Sequence, residues 1–281
     1  MLIVGERINT SRKVKGEPVI ENAVKNREAA YFIELARKQH EAGAAYIDVN
    51  AGTLLEGEPE ALEWLVTTIQ GELDVPLSLD SPNPVAIERA LKVHKGQAMI
   101  NSITAEKDRY EKILPLVKEY ETKVIALSMG DAGIPDDAEG RISVARELVG
   151  NLLAEGVKPE NIYSDPLVYP VATGAQYGLA VLETIRTMKA EFPDLQTIAG
   201  VSNVSHGMPV RKYLNQAFIV MCMTAGLDAA IIDPLDRQLI ALVYAAEALR
   251  GRDEFCTEYL SAAREGRFEP PAEGKQQQTR V

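Results

Sequence analysis

Cysteine is scarce in this sequence, which contains Cys222 and Cys256 and no others. The two residues lie far apart, and no Cys-x-x-Cys or Cys-x-x-x-His spacing occurs, so we do not expect a structural zinc site. A disulfide between them is not expected either, because the chain shows no secretion signal. We therefore predict that this chain binds no metal ion of its own.

Long apolar runs and an excess of basic residues are also missing. No stretch of 18 apolar residues occurs, so we predict no membrane-spanning segment. Asp and Glu number 41 against 30 Lys and Arg, and the resulting net charge of −11 argues against nucleic-acid binding through phosphate contacts. The first residues lack a basic segment followed by an apolar one, so a cytoplasmic location is expected.

A Gly-x-Gly-x-x-Gly motif is absent as well, which argues against an open dinucleotide-binding sheet. The sequence instead alternates short apolar runs with longer amphipathic stretches. Eight apolar runs are typical of strands buried on both faces, at residues 2–4, 45–49, 76–79, 98–100, 124–127, 161–163, 197–201 and 229–232. Eight strand–helix units favour a single-domain α/β protein with a (β/α)₈ TIM barrel, which needs roughly 250 residues. We predict that residues 1–263 form this barrel.

Helical patterns follow the predicted strands, at residues 27–42, 59–70, 84–93, 107–120, 143–154, 176–191, 210–225 and 236–250. Gly43 is a suitable stop for the first of them. The phrases at 41–44 and 224–229 both predict a helix–glycine–strand joint. Residues 264–281 contain two consecutive prolines and three consecutive glutamines, which predicts a flexible C-terminal tail.

Polar residues end the predicted strands, where a barrel of this kind carries its active site. They include Glu6, Asn9, Asp48, Asn50, Asp80, Ser81, Asn101, Ser102, Ser128, Asp165, Ser202, Asn203, Ser205 and Asp233. This ring of carboxylates and amides contains no obvious nucleophile, and it suits a flat heterocycle with adjacent N–H donors, such as a pterin or a purine. Each residue could also be a helix cap or a turn residue, and we expect Asp48, Ser81 and Asp233 to be structural.

Several of these strand ends resemble one family. The matching segments are residues 5–9 (GERIN), 79–81 (LDS), 99–102 (MINS), 165–167 (DPL), 200–205 (GVSNVS) and 225–230 (AGLDAA). Together they resemble the pterin-binding barrel family, and within it the corrinoid-dependent methyltetrahydrofolate methyltransferases. The likeness extends from about residue 1 to about residue 250, and it implies the same barrel fold.

The resemblance also implies roles for individual residues. Asp80, Asn101 and Asp165 would hydrogen-bond the pterin ring, and Gly200 and Ser202 would line the same pocket. The amide of Asn203 would reach N5, the atom that carries the methyl group. Arg211 would meet the aminobenzoyl-glutamate part of the folate. Glu6 receives no firm role, and we interpret His206 as a loop residue rather than a corrinoid neighbour.

The implied reaction moves a methyl group between N5 of tetrahydrofolate and the cobalt of a corrinoid, in either direction. The cobalamin-type corrinoid would be carried by a partner protein, because the cobalt-ligating Asp-x-His-x-x-Gly pattern is absent from this chain. A homodimer is implied as well. The physical requirement is a hydrogen bond at N5 that strengthens as the C–N bond breaks, which the amide of Asn203 can supply as donor or acceptor.

The sequence leaves two alternatives open. A dihydropteroate synthase-like enzyme would need cations for a pterin diphosphate, and residues 202–205 match that group poorly. A non-catalytic folate-binding subunit would keep the polar ring but could dispense with Asn203, whose presence favours catalysis.

Overall fold

Eight parallel strands close into a barrel in the computed structural model, which describes residues 1–268. Each strand pairs with the next in sequence, and β1 pairs with β8 to complete the ring. The strands are β1 (Leu2–Asn9), β2 (Tyr46–Asn50), β3 (Leu77–Asp80), β4 (Met99–Thr104), β5 (Lys123–Leu127), β6 (Ile162–Asp165), β7 (Gln196–Gly200) and β8 (Ala229–Ile232). The predicted (β/α)₈ fold and its eight strands are confirmed.

Two strands continue far beyond the ends of their apolar runs. β1 continues to Asn9 and β4 continues to Thr104, and each contains a shift in register, between Gly5 and Ile8 in β1 and between Asn101 and Ile103 in β4. The apolar run ends at the first polar residue, whereas backbone pairing does not depend on side-chain polarity. Such irregularities re-aim side chains, and both lie where the strands reach the open end of the barrel.

Ten α-helices surround the barrel in residues 1–268: α1 (Val19–Lys25), α2 (Ala29–Glu41), α3 (Glu58–Glu72), α4 (Pro84–Leu91), α5 (Lys107–Glu119), α6 (Ala138–Ala154), α7 (Tyr177–Glu191), α8 (Arg211–Ala225), α9 (Arg237–Leu249) and α10 (Thr257–Arg264). The eight predicted helices correspond to α2 through α9. The sequence did not predict α1 and α10, because each is too short, at seven and eight residues, to show a clear period.

Local chemistry fixes the helix ends. The side chains of Asn83, Asp137 and Asp236 accept backbone N–H groups in the first turns of α4, α6 and α9. Gly43 and Gly226 have φ of 104° and 120°, a region that favours glycine, and each ends a helix shortly before a strand. The predicted helix–glycine–strand joints are thereby confirmed.

The main core lies between the strands and the surrounding helices. Ile47, Leu77 and Leu79 face outward from their strands, are fully buried and belong to the same cluster as Leu62 and Leu65 of α3. Burying one such side chain contributes about 1.5–3 kcal/mol, so this layer holds the strand ends in fixed positions. None of the helices within residues 1–268 is long and apolar enough to cross a membrane.

The C-terminal segment packs on the last two helices as far as it is described. The ring of Phe268 lies 5.6 Å from that of Tyr244 in α9 and 5.2 Å from that of Tyr259 in α10. The first residues of the predicted tail are therefore in contact with the barrel, and residues 269–281 lie outside the described part of the chain.

Candidate functional site

Two layers of side chains fill the interior of the barrel, because alternate residues of a strand face the same side. The lower layer is buried and apolar and consists of Val4, Tyr46, Met99, Ile125, Tyr163, Ile198 and Ala229, with Ser78 at the equivalent position of β3. Below it, Lys123 donates a hydrogen bond of 3.0 Å to the hydroxyl of Tyr163 and lies over the rings of Tyr46 and Tyr163. The amino end of the barrel is closed by this packing.

The upper layer lies two residues further along each strand and consists of Glu6, Asp48, Asp80, Asn101, Leu127, Asp165, Gly200 and Ile231. All eight line one cavity of about 990 Å³ at the carboxyl ends of the strands. Such a volume is at the upper end of the range for small-molecule sites. Alternation along the strands therefore places apolar side chains at the closed amino end of the barrel and mostly polar side chains at the cavity.

The cavity brings together every residue predicted to form the site: Asp80, Asn101, Asp165, Gly200, Ser202, Asn203 and Arg211. Glu6 and His206 line it too, and His206 is exposed. Of the three residues expected to be structural, Asp48 and Asp233 line the cavity. Ser81 is not among the lining residues, and its buried hydroxyl donates to Glu58 at 2.6 Å.

Three of these residues each use one polar atom within the protein and keep another. Asn101 Nδ2 donates to Asp48 Oδ1 at 3.2 Å, and Asn50 Nδ2 donates to Asp80 Oδ2 at 3.0 Å. Asp165 Oδ1 accepts from the backbone N–H of Leu167 at 2.8 Å. Within residues 1–268 no donor reaches the other oxygen of Asp80 or Asp165 or the amide oxygen of Asn101. The cavity therefore holds three acceptors that suit a ligand edge rich in N–H groups.

Burial changes the titration of the carboxylates. It raises the pKa of Asp165 to about 7, although the N–H of Leu167 and the charge of Arg141 act in the opposite direction. It also raises the pKa of Asp80 to about 6 against the hydrogen bond from Asn50. Carboxylates with pKa values near neutrality can accept or donate a hydrogen bond at a ligand's edge.

Two further carboxylates line the cavity: Glu6, which received no firm role from the sequence, and Asp48, which was expected to be structural. Burial raises the pKa of Asp48, and the neighbouring charge of Asp80 raises it further. Burial likewise raises the pKa of Glu6, opposed by a hydrogen bond of 3.0 Å that Ser202 donates to it. The signal was available, because Asp48 lies between two outward-facing apolar residues, Ile47 and Val49, and must face inward.

The turn after β7 carries the residue assigned to the methyl-bearing nitrogen. A 3₁₀ turn, Val201–Ser205, exposes the side chain of Asn203, which hydrogen-bonds no other side chain or backbone group of residues 1–268. A Cβ atom at Gly200 would lie 3.2 Å from Asn203 Nδ2, tighter than ordinary contact. Glycine at this position therefore gives the amide room to lie against the strand end.

Arg211 braces the same turn. Its Nη2 donates to the carbonyl of Ser202 at 2.6 Å, and its Nε donates to Ser205 Oγ at 3.0 Å. Part of the guanidinium predicted to meet the folate is thus occupied within the protein, although Arg211 also lines the cavity.

Two other arginines fix the loops that follow the upper layer. Arg109 of α5 donates to the carbonyls of Ser81, Pro82 and Ser102, which follow Asp80 and Asn101 in sequence. Arg141 of α6 is fully buried and donates to the carbonyls that follow Asp165, at Pro166 and Leu167, between the rings of Tyr169 and Tyr177. Because every residue has a backbone carbonyl, the sequence does not show which carbonyl an arginine binds, and these contacts could not be predicted from it.

Asp233 anchors the remaining side of the cavity. It accepts from Arg7 Nε at 2.7 Å and lies 3.5 Å from Arg12. Burial alone would raise the pKa of Asp233, but its hydrogen bond and charge interaction with Arg7 outweigh burial and lower it. In residues 1–268 no three His, Cys, Asp or Glu side chains converge in an arrangement that could hold a metal ion.

Comparison with known proteins gives one family match. The profile of the family described as pterin binding enzyme matches residues 6–233, a span that contains all the predicted site residues. The chain is also 32% identical over 272 residues to a methylcorrinoid:tetrahydrofolate methyltransferase from Eubacterium limosum, covering 96% of this chain and 98% of that protein. Methionine synthases from Mycobacterium tuberculosis and Mycobacterium leprae are 28% identical over 244 residues, which is 83% of this chain and 20% of each of those proteins.

Solved structures match the fold. A dihydropteroate synthase from Yersinia pestis in complex with a sulfonamide superimposes with a TM-score of 0.67, covering 89% of this chain and 94% of that one at 15% identity. Another structure of dihydropteroate synthase from the same organism gives a TM-score of 0.63 at 18% identity, covering 89% and 93% of the two chains. At such identities the likeness concerns the barrel and not the reaction.

Proposed function

Because this chain belongs to the pterin-binding enzyme family, we propose that it is a methyltransferase that moves a methyl group between N5 of tetrahydrofolate and the cobalt of a corrinoid. The corrinoid is a substrate held by a separate protein. The identity to a methylcorrinoid:tetrahydrofolate methyltransferase extends over nearly the full length of both chains, and the methionine synthase matches agree with folate-linked methyl transfer.

The observation that carries this proposal is the convergence of acceptors in the upper layer. The free atoms of Asp80, Asn101 and Asp165 come from β3, β4 and β6 and line one cavity. A pterin presents an amino group and ring N–H groups along its edge, so this set is complementary to it. Gly200 and Ser202 complete the pocket, and the part of Arg211 not bound to the turn faces the aminobenzoyl-glutamate portion.

Methyl transfer to cobalt is a displacement in which the C–N bond breaks and its electron pair remains on N5. We assign Asn203 to hydrogen-bond N5 as that charge changes, since its side chain lines the cavity, and such a bond lowers the barrier when it is stronger in the transition state. The amide donates to a lone pair or accepts from a protonated nitrogen, so one residue serves both directions. Direction then follows from the concentrations and redox state of the reactants.

Assembly and location complete the proposal. We assign a homodimer, supported by three large apolar side chains that are exposed on the adjacent helices α7 and α8: Leu179 at 66%, Tyr213 at 63% and Met221 at 45%. A monomeric mass in light scattering would contradict the dimer. We assign a cytoplasmic location, supported by Cys222 and Cys256, which are both free thiols, as expected in a reducing compartment.

Replacement of Asn203 tests the proposed reaction. Asn203→Ala should slow methyl transfer between methyltetrahydrofolate and free cob(I)alamin by about 10²–10³-fold, as expected when a transition-state hydrogen bond is lost. The dissociation constant for methyltetrahydrofolate should change by less than about tenfold. Stopped-flow absorbance of the cobalamin and calorimetry of folate binding measure the two effects.

The matched control is Asn151→Ala, which removes an exposed amide of α6 that does not line the cavity. It should leave both quantities unchanged. An unaltered transfer rate in Asn203→Ala would remove Asn203 from the mechanism. Failure of the unmodified protein to bind reduced folates would reject the proposed function as a whole.

A further inference from the structure

Arg141 is a buried cation that no carboxylate neutralises. Its side chain is fully buried, it forms no ion pair with any residue of 1–268, and its Nη2 has no hydrogen-bond partner there. The rings of Tyr169 and Tyr177 lie 5.4 and 5.5 Å from the guanidinium carbon. Burying an unpaired charge and an unused donor disfavours folding. A cation kept in the protein at this cost points to a role in the neighbouring site.

The rest of the guanidinium connects two loops at the open end of the barrel. Its Nε donates to the carbonyl of Pro135 at 3.1 Å, in the loop between β5 and α6. Its Nη1 donates to the carbonyl of Leu167 at 2.8 Å and to that of Pro166 at 3.4 Å, in the loop after β6. Arg141 therefore fixes the backbone that directly follows Asp165.

Leu167 links this arginine to the carboxylate of Asp165. It has a φ of 59°, in the left-handed region that a leucine rarely adopts. In this conformation its N–H donates to Asp165 Oδ1 at 2.8 Å while its carbonyl accepts from Arg141 Nη1. Without the hydrogen bond from Arg141, Leu167 would be free to leave this conformation, and Asp165 would lose the partner that orients it.

The charge of Arg141 acts on the same carboxylate. Burial raises the pKa of Asp165 to about 7, and Arg141 is the charged side chain of residues 1–268 that lowers it. The residues beside Asp165 in the upper layer, Leu127 of β5 and Gly200 of β7, carry no charge. Burial raises the pKa of Cys222 of α8, so this neighbour remains an uncharged thiol.

The other charged groups nearby are directed elsewhere. Glu6, Asp48 and Asp80 belong to β1, β2 and β3, across the barrel from β6. Arg211, at the start of α8, donates to the turn after β7. Asp136, beside Arg141, raises the pKa of the guanidinium, and so helps to keep it charged. Arg141 is thus the cation that acts on Asp165.

We propose that Arg141 is a positioning residue for pterin binding: through Leu167 it aims the free oxygen of Asp165 at the ligand, and its charge keeps that carboxylate ionised. The inference rests on the proposed function and adds a residue that does not itself line the cavity of residues 1–268. An ionised carboxylate accepts at both oxygens, whereas a protonated one has lost part of that capacity. The folate should therefore bind the form of the protein in which Asp165 is ionised.

The first test uses the unmodified protein and methyltetrahydrofolate. Binding near pH 7 should release about half a proton, because Asp165 is then half protonated in the free protein. Calorimetry in buffers of different ionisation enthalpy measures this number. The affinity should fall as the pH drops through about 7, and Asp80, whose pKa is about 6, should add a second step at lower pH.

Two variants separate the charge of Arg141 from its hydrogen bonds. Arg141→Gln removes the charge, so the pH midpoint of the upper step should rise by about one unit. Its affinity at pH 9 should fall about tenfold, because Leu167 is no longer held. Arg141→Lys keeps the charge, so its midpoint should stay within about 0.3 unit of the unmodified protein, although its affinity at pH 9 also falls. A merely structural residue would not shift the midpoint in a way that lysine restores.

The matched control is Arg146→Gln, which removes an exposed charge from the same helix, where Arg146 pairs with Glu191. It should change neither the midpoint nor the affinity at pH 9. Circular dichroism at each pH shows whether a variant is folded.

Two results would overturn the inference. An unchanged midpoint in folded Arg141→Gln, or an equal shift in Arg141→Lys, would mean that the charge of Arg141 does not act on Asp165. Binding by the unmodified protein without proton release near pH 7 would mean that the folate does not select the ionised carboxylate, and this result holds even if Arg141→Gln fails to fold. Both leave the proposed function intact, whereas a protein that binds no methyltetrahydrofolate at any pH would reject that function too.

Discussion

The two layers inside the barrel use the same strands and the same alternation, yet the lower one is apolar apart from Ser78 and the upper one is mostly polar. Lower-layer residues such as Met99 and Ile125 are apolar and fully buried. Two residues later on the same strands, Asn101 and Leu127 line an open cavity. The difference places the packed interior and the cavity one side-chain repeat apart along the strand axis, about 6–7 Å.

The upper layer carries a cost that the lower layer does not. Several carboxylates lie close together in it, and burial raises the pKa values of Asp48, Asp80 and Asp165. A raised pKa means that the folded state disfavours the charged form. The free energy gained by packing in the lower layer and the outer core must offset this cost. Variants in the two layers should therefore differ in stability.

The largest effect should come from placing a charge in the lower layer. Ile125→Asp should destabilise the protein by about 4 kcal/mol or more, because a carboxylate would be buried without a partner. Leu127→Asp, on the same strand but at the cavity, should cost less than half as much. Urea denaturation of the two variants measures the difference. Equal losses would mean that the layers do not differ in the way described.

A smaller effect should come from crowding the strand end at Gly200. Gly200→Ala places a methyl group 3.2 Å from Asn203 Nδ2, so the amide must move by a few tenths of an ångström. We expect methyl transfer to slow by about tenfold while the melting temperature stays within about 2 °C. Gly150→Ala, at an exposed helical position with open space around it, is the control. A parallel loss of activity in both variants would contradict the role assigned to Gly200.

The smallest effect should appear as a pH-dependent gain in stability. The pKa of Asp165 is about 7 in the folded state against an ordinary value of 3.8, so the folded state binds the proton more tightly than the unfolded state. Protonation of Asp165 therefore stabilises the folded state fully below about pH 4, and this stabilisation is lost as the pH rises through about 7. Asp165→Asn should therefore melt about 2–4 °C above the unmodified protein near pH 8.

Near pH 4 the same variant should show little or no advantage, because the carboxyl group is then protonated in the folded state and about half protonated in the unfolded state. Calorimetry at the two pH values measures this. Asp74→Asn, at an exposed position, should show no such dependence. An equal shift in melting temperature at both pH values would refute the account of why the upper layer costs stability.

The barrel could be predicted from the sequence because its strands are short apolar runs at regular intervals. The positions of Asp80, Asn101 and Asp165 followed from the rule that strand ends form the site, and all three line the cavity. Asp48 was assigned to a structural role because it was considered as a turn residue. Its alternation with Ile47 and Val49, if followed along the strand, places it in the upper layer.

Other features had no sequence signal that could be followed. The hydrogen bonds from Arg109 and Arg141 to backbone carbonyls depend on where the loops meet in space. Every residue has a carbonyl, so the sequence does not indicate which one is bound. The bracing of the turn after β7 by Arg211 has the same origin. The continuation of β1 and β4 past their apolar runs depends on the neighbouring strand's backbone and not on their own side chains.

Lys123 packs against Tyr46 and Tyr163 and closes the amino end of the barrel. Because the cavity is closed at its base, both proposed reactants must reach it through the opening at the rim. A corrinoid protein seated over that opening would trap the folate beneath it, so departure of the small molecule would have to wait for departure of the large one.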